Sequence, residues 1–194
     1  MYSFILLSCI YFSPVQGNTT GIYQTKNDFL TGNLTYHRSR LRTKSNPFLL
    51  RFPLSFDSDE SLYLPQPDKS EKKIEPASSF GFVAKGITFI YNSDEKKYLS
   101  VLHDRLPVYF FLKEKVTYAG KVRRIIDILL YTQDLDAPTK EFTTENIEHD
   151  FADKKALFDK LLKLREAIRK KQFRTGVGRE VFFEYQKLIK NMLN

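Results

Sequence analysis

An α+β fold, a small antiparallel β-meander followed by a C-terminal helical hairpin, is what this sequence predicts for residues 78–194, and three observations predict it. Short runs of β-branched and aromatic residues fill 81–112, with turn-forming residues between them. From 143 onward the apolar residues recur instead at spacings of three and four. A glycine-bearing stretch, Arg174-Thr-Gly-Val-Gly178, then divides that helical region in two. Composition agrees: 194 residues, 42% hydrophobic and 28% charged, supply enough apolar material for one ordinary domain. They exclude a wholly disordered, collagenous or multi-span membrane chain.

The chain opens with Phe4 to Phe12, an apolar run without a charge, followed by Ser13-Pro14 and Val15-Gln16-Gly17. Small residues at the −3 and −1 positions suit cleavage after Gly17, so 1–17 is expected to be a signal peptide. The run is too short to cross a bilayer, which takes about 20 apolar residues. A buried strand or an uncleaved anchor is the alternative. Cys9, the single cysteine, lies inside this run, so the processed chain would have no disulfide, no thiol nucleophile and no cysteine-ligated zinc. That absence weighs mildly against a final address outside the cell.

Residues 18–56 carry Lys26, Arg38, Arg40, Arg42, Lys44 and Arg51 with Asp28 as the only acid, and so hold most of the net charge of +8. Basic, hydroxyl-rich and acid-poor is the composition of an organelle transit peptide. Behind a signal peptide, it resembles the bipartite leader of proteins sent to the apicoplast, the secondary plastid of apicomplexan parasites. What the resemblance implies is entry into the secretory pathway and a plastid destination. Two other readings stand beside it. One is the solvated tail of a secreted protein, with Asn18 and Asn33 as glycosylation acceptors. The other is a basic arm that binds nucleic acid or anionic lipid through the series from Arg38 to Lys44. Residues 57–77, with Pro65, Pro67 and Pro76 among mixed charges, read as a disordered linker that leads to a domain start near Ser78.

Within the domain, Gly81 to Ala84 is a short strand candidate, and Ile87–Tyr91 with Lys97–Leu102 is a hairpin closed by Asn92-Ser-Asp-Glu-Lys96. Val108–Leu112 follows Pro107, which can open a strand without removing an internal ladder bond. Residues 120–131 fit both periods. Val122, Ile125, Ile126, Leu129 and Leu130 match a helical face, whereas Ile126, Ile128 and Leu130 alternate as in a strand. Helix is preferred, because Lys121, Arg123, Arg124 and Asp127 then share the outer side. Gln133 to Thr139 reads as a loop.

Thr143 or Thr144 can cap the next helix, with acids in its first turns. Leu157, Leu161, Leu164 and Ile168 make an apolar stripe, and Val181, Tyr185, Leu188 and Met192 repeat the spacing beyond the glycines. The segment Ala156-Leu-Phe-Asp-Lys-Leu-Leu-Lys-Leu-Arg-Glu-Ala-Ile-Arg-Lys-Lys171 resembles the second helix of the UVR motif, a small helical hairpin of excision-repair nucleases and plastid protease adaptors. Leu161-Leu162 stands where that motif has an alanine pair, and no functional residue is carried over from it.

Chemistry-bearing residues are few. Glu145, His149 and Asp153 would share one face of a continuous helix and could hold a divalent metal or a general base with its orienter; an acidic first turn is the plainer reading. Gly176 and Gly178 with Arg174 and Arg179 could cradle a phosphate, although a helix-breaking turn accounts for the same glycines. Arg165, Arg169, Lys170, Lys171 and Arg174, interrupted by Glu166 alone among acids, form a basic cluster suited to RNA, a ribosomal surface or an acidic protein. A solvated helix face is its alternative. His103 is expected on a hairpin turn at the surface. No hydrolase elbow, phosphate-binding loop or dinucleotide fingerprint occurs. The expected function is a non-catalytic binding or adaptor domain, without cofactor, that engages a protein or ribonucleoprotein in an organelle. A secreted effector or surface protein of a parasite, and a metal-assisted hydrolase, are the alternatives. No membrane span is expected in the mature chain.

Overall fold

A strand whose neighbours cover it on both sides must be apolar on both faces, and Lys97–His103 meets that demand: Tyr98 and Leu102 point one way, Leu99 and Val101 the other, and all four are buried. It is the centre of the fold. The computed structural model describes residues 19–38, 40–41, 55–57, 62–65, 68, 70–73, 79–84, 86–170 and 178–193.

In chain order the described elements are β1 (Thr19–Tyr23), α1 (Lys26–Thr31), β2 (Thr35–Arg38), β3 (Arg40–Leu41), β4 (Ser55–Asp57), β5 (Leu62–Pro65) and β6 (Glu71–Lys73). Then come β7 (Gly81–Ala84), β8 (Ile87–Asn92), β9 (Lys97–His103), β10 (Tyr109–Ala119), β11 (Val122–Thr132), β12 (Lys140–Glu141), α2 (Thr144–Phe151), α3 (Lys155–Lys170) and α4 (Gly178–Leu193). The main sheet is antiparallel in the order β12-β11-β10-β9-β8-β7-β1-β2, with β4 also paired to β9. A second small sheet has the order β3-β5-β6.

One face of the main sheet packs on the helices. Phe82, Phe89, Tyr98, Phe110 and Tyr131 meet Ile147 and Phe151 of α2, Leu161 and Leu164 of α3, and Val181, Phe182, Tyr185 and Ile189 of α4 in a single apolar cluster. The other face buries Tyr23, Ile90, Leu99, Val101, Tyr109, Phe111 and Leu130 together with Phe29 of α1. Helix α1 is short but well capped: Thr25 and Asp28 form a capping box, and Gly32 closes it with φ +71°. Lys26 Nζ at its start lies 3.3 Å from Asp134 and 2.6 Å from Asp136, in the loop after β11. Five inter-strand steps of about 4.8 Å separate β1 from β11 by roughly 24 Å in a flat sheet, so the sheet curls toward this face to let the two ends meet.

The β10–β11 hairpin outruns the sheet. Strand β10 pairs with β9 only through Phe110, Phe111 and Leu112, whereas its ladder with β11 continues to Ala119↔Val122. Where β10 leaves, β4 takes over the edge of β9 through Ser55–Asp57. The Glu114 amide donates to Ser55 Oγ at 3.2 Å, and Lys113 pairs with Glu95. Gly120, with φ +62°, and Lys121 close the ribbon as a two-residue turn with glycine first, as a type II′ turn requires.

The α+β class, the antiparallel sheet and the C-terminal helices are as the sequence predicts. Three expectations need correction. Residues 122–132 are strand, not helix, because eleven consecutive residues of β11 pair with β10. The fold does not start near Ser78: β1 pairs with β7 and β2, and Ile22, 1% exposed, belongs to the core. Parts of 57–77 are likewise strand, in β5 and β6. Finally, among the described residues the helical layer has three helices, since Ala152–Lys154 breaks α2 from α3. The expected signal peptide, 1–17, lies outside the described residues. Among the described residues no helix is long and apolar enough to cross a membrane.

Candidate functional site at the cationic end of the helical layer

The acidic cluster comes first in the chain. Thr143 Oγ1 accepts from the Asn146 amide at 3.2 Å and starts α2, as its position before an acidic turn predicts. The helix stops at Phe151, so Asp153 falls in the following turn and does not share a helical face with Glu145 and His149. Among the described residues no three His, Cys, Asp or Glu side chains are grouped to hold a metal ion. The metal-assisted reading loses its geometry with the break in the helix.

His149 turns instead to its neighbour, with Nδ1 2.7 Å from Asp150 Oδ1. Asp150 is the hub of a network: Lys140 Nζ donates to both its oxygens at 2.6 and 2.8 Å, and the Tyr131 hydroxyl donates to Oδ2 at 2.7 Å. Burial alone would raise the Asp150 carboxyl, but the hydrogen bonds from Lys140, His149 and Tyr131 outweigh it and bring its pKa down to about 2. Burial, helped by the Asp150 charge, pushes the Tyr131 phenol well above its usual range. The Tyr131 hydroxyl is also 3.0 Å from the Asn146 carbonyl, so one buried tyrosine ties β11 to α2. This network sets the position of the helical layer. It offers no unspent nucleophile.

The basic cluster divides in two. Leu161 and Leu164 are fully buried, and Arg165 stands four residues after Leu161 and three before Ile168, which puts it on the packed side of α3. It lines a cleft of about 220 Å³ with Asp127, Glu141, Ile168 and Tyr185. Burial drives the Tyr185 phenol up to about 12, with Asp127 adding to the shift and Arg165 opposing it. Arg165 is therefore directed inward, contrary to its expected place in an outward patch. Arg169 and Lys170 are exposed, and Lys170 Nζ lies 2.7 Å from Glu166 Oε1. Lys171, Arg174 and the glycine at 176 lie outside the described residues. With Lys155, Lys160 and Lys163, the outer row of α3 presents five described cations against Asp159 and Glu166.

Sequence reasoning missed the neighbour of this row. The cleft that holds Arg165 and Ile168 also holds Asp127 and Ile128, so the last turns of α3 sit beside the base of the β10–β11 ribbon. Two further clefts are lined by described residues. One of about 310 Å³ has Asn92, Asp94, Asp136 and Thr139 at its rim over Leu99 and Phe111. The other, about 260 Å³, has His103, Arg105 and Lys160 around Leu106, Leu157 and Leu193. His103 ends β9 and is half-buried, which lowers its pKa despite Asp104. Compared with models of protein families, with curated proteins and with solved structures, the chain matches none.

Proposed function

We propose that this chain is a non-catalytic binding module that engages a protein or ribonucleoprotein partner through the outer face of α3. One observation carries the reading: α3 is fixed from beneath by Leu161 and Leu164, and it presents Lys155, Lys160, Lys163, Arg169 and Lys170 to solvent on a rigid support. A helix held in this way loses little freedom when a partner docks, and clustered cations steer an anionic surface toward it.

Charge reversal tests it. In quantitative affinity purification from the native cell, R169E/K170E is expected to recover the wild-type partner set at least about tenfold less well, given about 1.4 kcal/mol or more lost. Ribonuclease treatment of parallel samples separates a protein from a ribonucleoprotein partner. A variant that melts like wild type and recovers the same partners at the same level refutes the reading.

A second reading, a secreted effector or surface protein of a parasite, is favoured by one observation. Thr19–Arg38 supplies two strands and a helix to the domain, so cleavage at residue 57 or 78 would strip part of the core. A working chain that starts near Asn18 fits the sheet. Mass spectrometry of the native protein decides between a start there, which supports export or retention of the whole basic stretch, and a start beyond residue 50, which supports a plastid leader.

A further inference from the structure

Of the three clefts lined by described residues, the one at the start of α3 alone has cations and no carboxylate on its lining. Three elements build it. His103 and Arg105 to Val108 lie where β9 leads into β10, Ala156, Leu157 and Lys160 belong to the first turns of α3, and Leu193 ends α4. The apolar wall is anchored: Val108 is fully buried in the main cluster, and Leu157 and Leu193 pack against that cluster while still lining the cleft. Leu106, 70% exposed, continues the apolar lining toward solvent. A ligand therefore meets a wall already in place and does not have to order it.

Charge and size together select the ligand. Arg105 and Lys160 are exposed, and among the described residues neither forms an ion pair. Asp104 follows His103 in the chain but is not part of the lining. Burial lowers the His103 pKa, with Asp104 opposing and Arg105 adding, so at neutral pH its ring is uncharged and offers one N–H donor. A cleft of about 260 Å³ is about 8 Å across, less than the screening length in physiological salt, so an anion held there is attracted by both cations. Water and a methylene group each take about 30 Å³, so the cleft accommodates a body of about eight non-hydrogen atoms. A nucleotide is too large for it, and an inorganic anion would leave the apolar wall uncovered.

We infer that this cleft binds a small amphiphilic monocarboxylate, its apolar body against Val108, Leu157 and Leu193 and its carboxylate at Arg105 and Lys160. This goes beyond the α3 reading, since it names a small ligand held by three elements and needs no macromolecular partner.

The test is a titration of the full chain with sodium octanoate, followed through the histidine ring protons by nuclear magnetic resonance. The His103 signals are expected to shift and saturate, with a Kd of about 1 mM or tighter, as a ligand of about ten non-hydrogen atoms allows. His149, 80% exposed and outside the cleft, should not follow them. Octylammonium, with the same chain and the opposite charge, should bind at least about tenfold more weakly, and acetate, without the chain, should not saturate in the same range. R105Q/K160Q should weaken octanoate about 2- to 30-fold, the range for two exposed cations. K121Q/K187Q removes the same charge at exposed positions outside the cleft and should leave the affinity unchanged. Arg105 and Lys160 are exposed, so their variant is expected to melt like wild type; if it does not, the octylammonium and acetate comparisons on the wild-type chain still decide. The inference is overturned if the His103 signals do not saturate by about 5 mM octanoate, if octylammonium or acetate binds as tightly, or if a folded R105Q/K160Q binds like wild type. An equal loss in K121Q/K187Q overturns it too, because net charge and not the cleft would then hold the anion.

Discussion

Asp150→Asn is the substitution that interrogates the link between sheet and helices most directly. The carboxylate sits at about 2 in the folded protein against an ordinary 3.8, so its ionisation is favoured by folding. At about 1.36 kcal/mol per unit, that difference is worth roughly 2 kcal/mol above pH 4. Because the folded value is the lower one, the contribution is complete above about pH 4 and fades as the pH falls toward 2. Asparagine keeps the shape and removes the charge. It leaves no donor stranded: the Tyr131 hydroxyl still has the Asn146 carbonyl at 3.0 Å, and Lys140 and His149 are 44% and 80% exposed, so water can serve them. Urea unfolding of wild type and D150N at pH 7, 5, 3.5 and 2.5 reads this out. Wild type should be more stable by roughly 2 kcal/mol at pH 7 and 5, and the gap should shrink steadily below pH 4. A gap that stays constant with pH would mean the loss is one of packing, and no gap at pH 7 would mean the network is idle; either refutes the account.

Other expectations concern the sheet and its helices. A methyl group at Gly81 would stand 2.2 Å from the Phe89 carbonyl oxygen and 3.1 Å from Ile90 Cα, backbone atoms that cannot swing aside. G81A should therefore cost about 1–3 kcal/mol, and a wild-type urea midpoint would show that β7 and β8 are not so closely apposed. Leu161→Ala should cost about 2–5 kcal/mol, since the residue is fully buried under the helical layer; a loss below 1 kcal/mol would mean that α3 packs loosely. A chain that begins at residue 57 loses Ile22, Tyr23 and Phe29, each buried and each worth about 1.5–3 kcal/mol, which together rival the whole stability of a domain. Near-ultraviolet circular dichroism should show no cooperative transition for it, and a sharp one would restore the idea of a fold starting near Ser78.

The parts of the fold that were legible in the sequence are those whose pattern is local. The β8–β9 hairpin and the stripe of α3 carry their periods within a dozen residues. Residues 122–132 carry two periods at once, and what decides for strand is β10, lying alongside for eleven residues. Strands β1 and β2 are short and hydroxyl-rich and lie in a basic stretch of sequence, so composition masks them; β1 has its second partner, β7, far along the chain. The break between α2 and α3 has no glycine or proline to announce it. Arg165 is the instructive residue in the candidate site. Its spacing from Leu161 and Ile168 places it on the buried stripe, and that spacing, rather than its charge, was the signal to follow. The Asp150 network had no such signal, because Tyr131, Lys140 and Asp150 meet only through the fold.

The position of β1 between β2 and β7 has a consequence for how the protein is made. Ile22 leaves the ribosome early, yet its partner Phe82 is about sixty residues behind, a delay of roughly 3–12 s at ordinary elongation rates. During that interval β1 and β2 can pair only with each other, and two strands alone are marginal in water. The edge that will face β7 stays open, and so does the apolar face that will be covered by the rest of the chain. The nascent segment must be kept from pairing with copies of itself on neighbouring ribosomes. Between Thr19 and Arg38 the chain carries Lys26 and Arg38 against Asp28, so charge alone does little to hold such copies apart before the partner strands emerge.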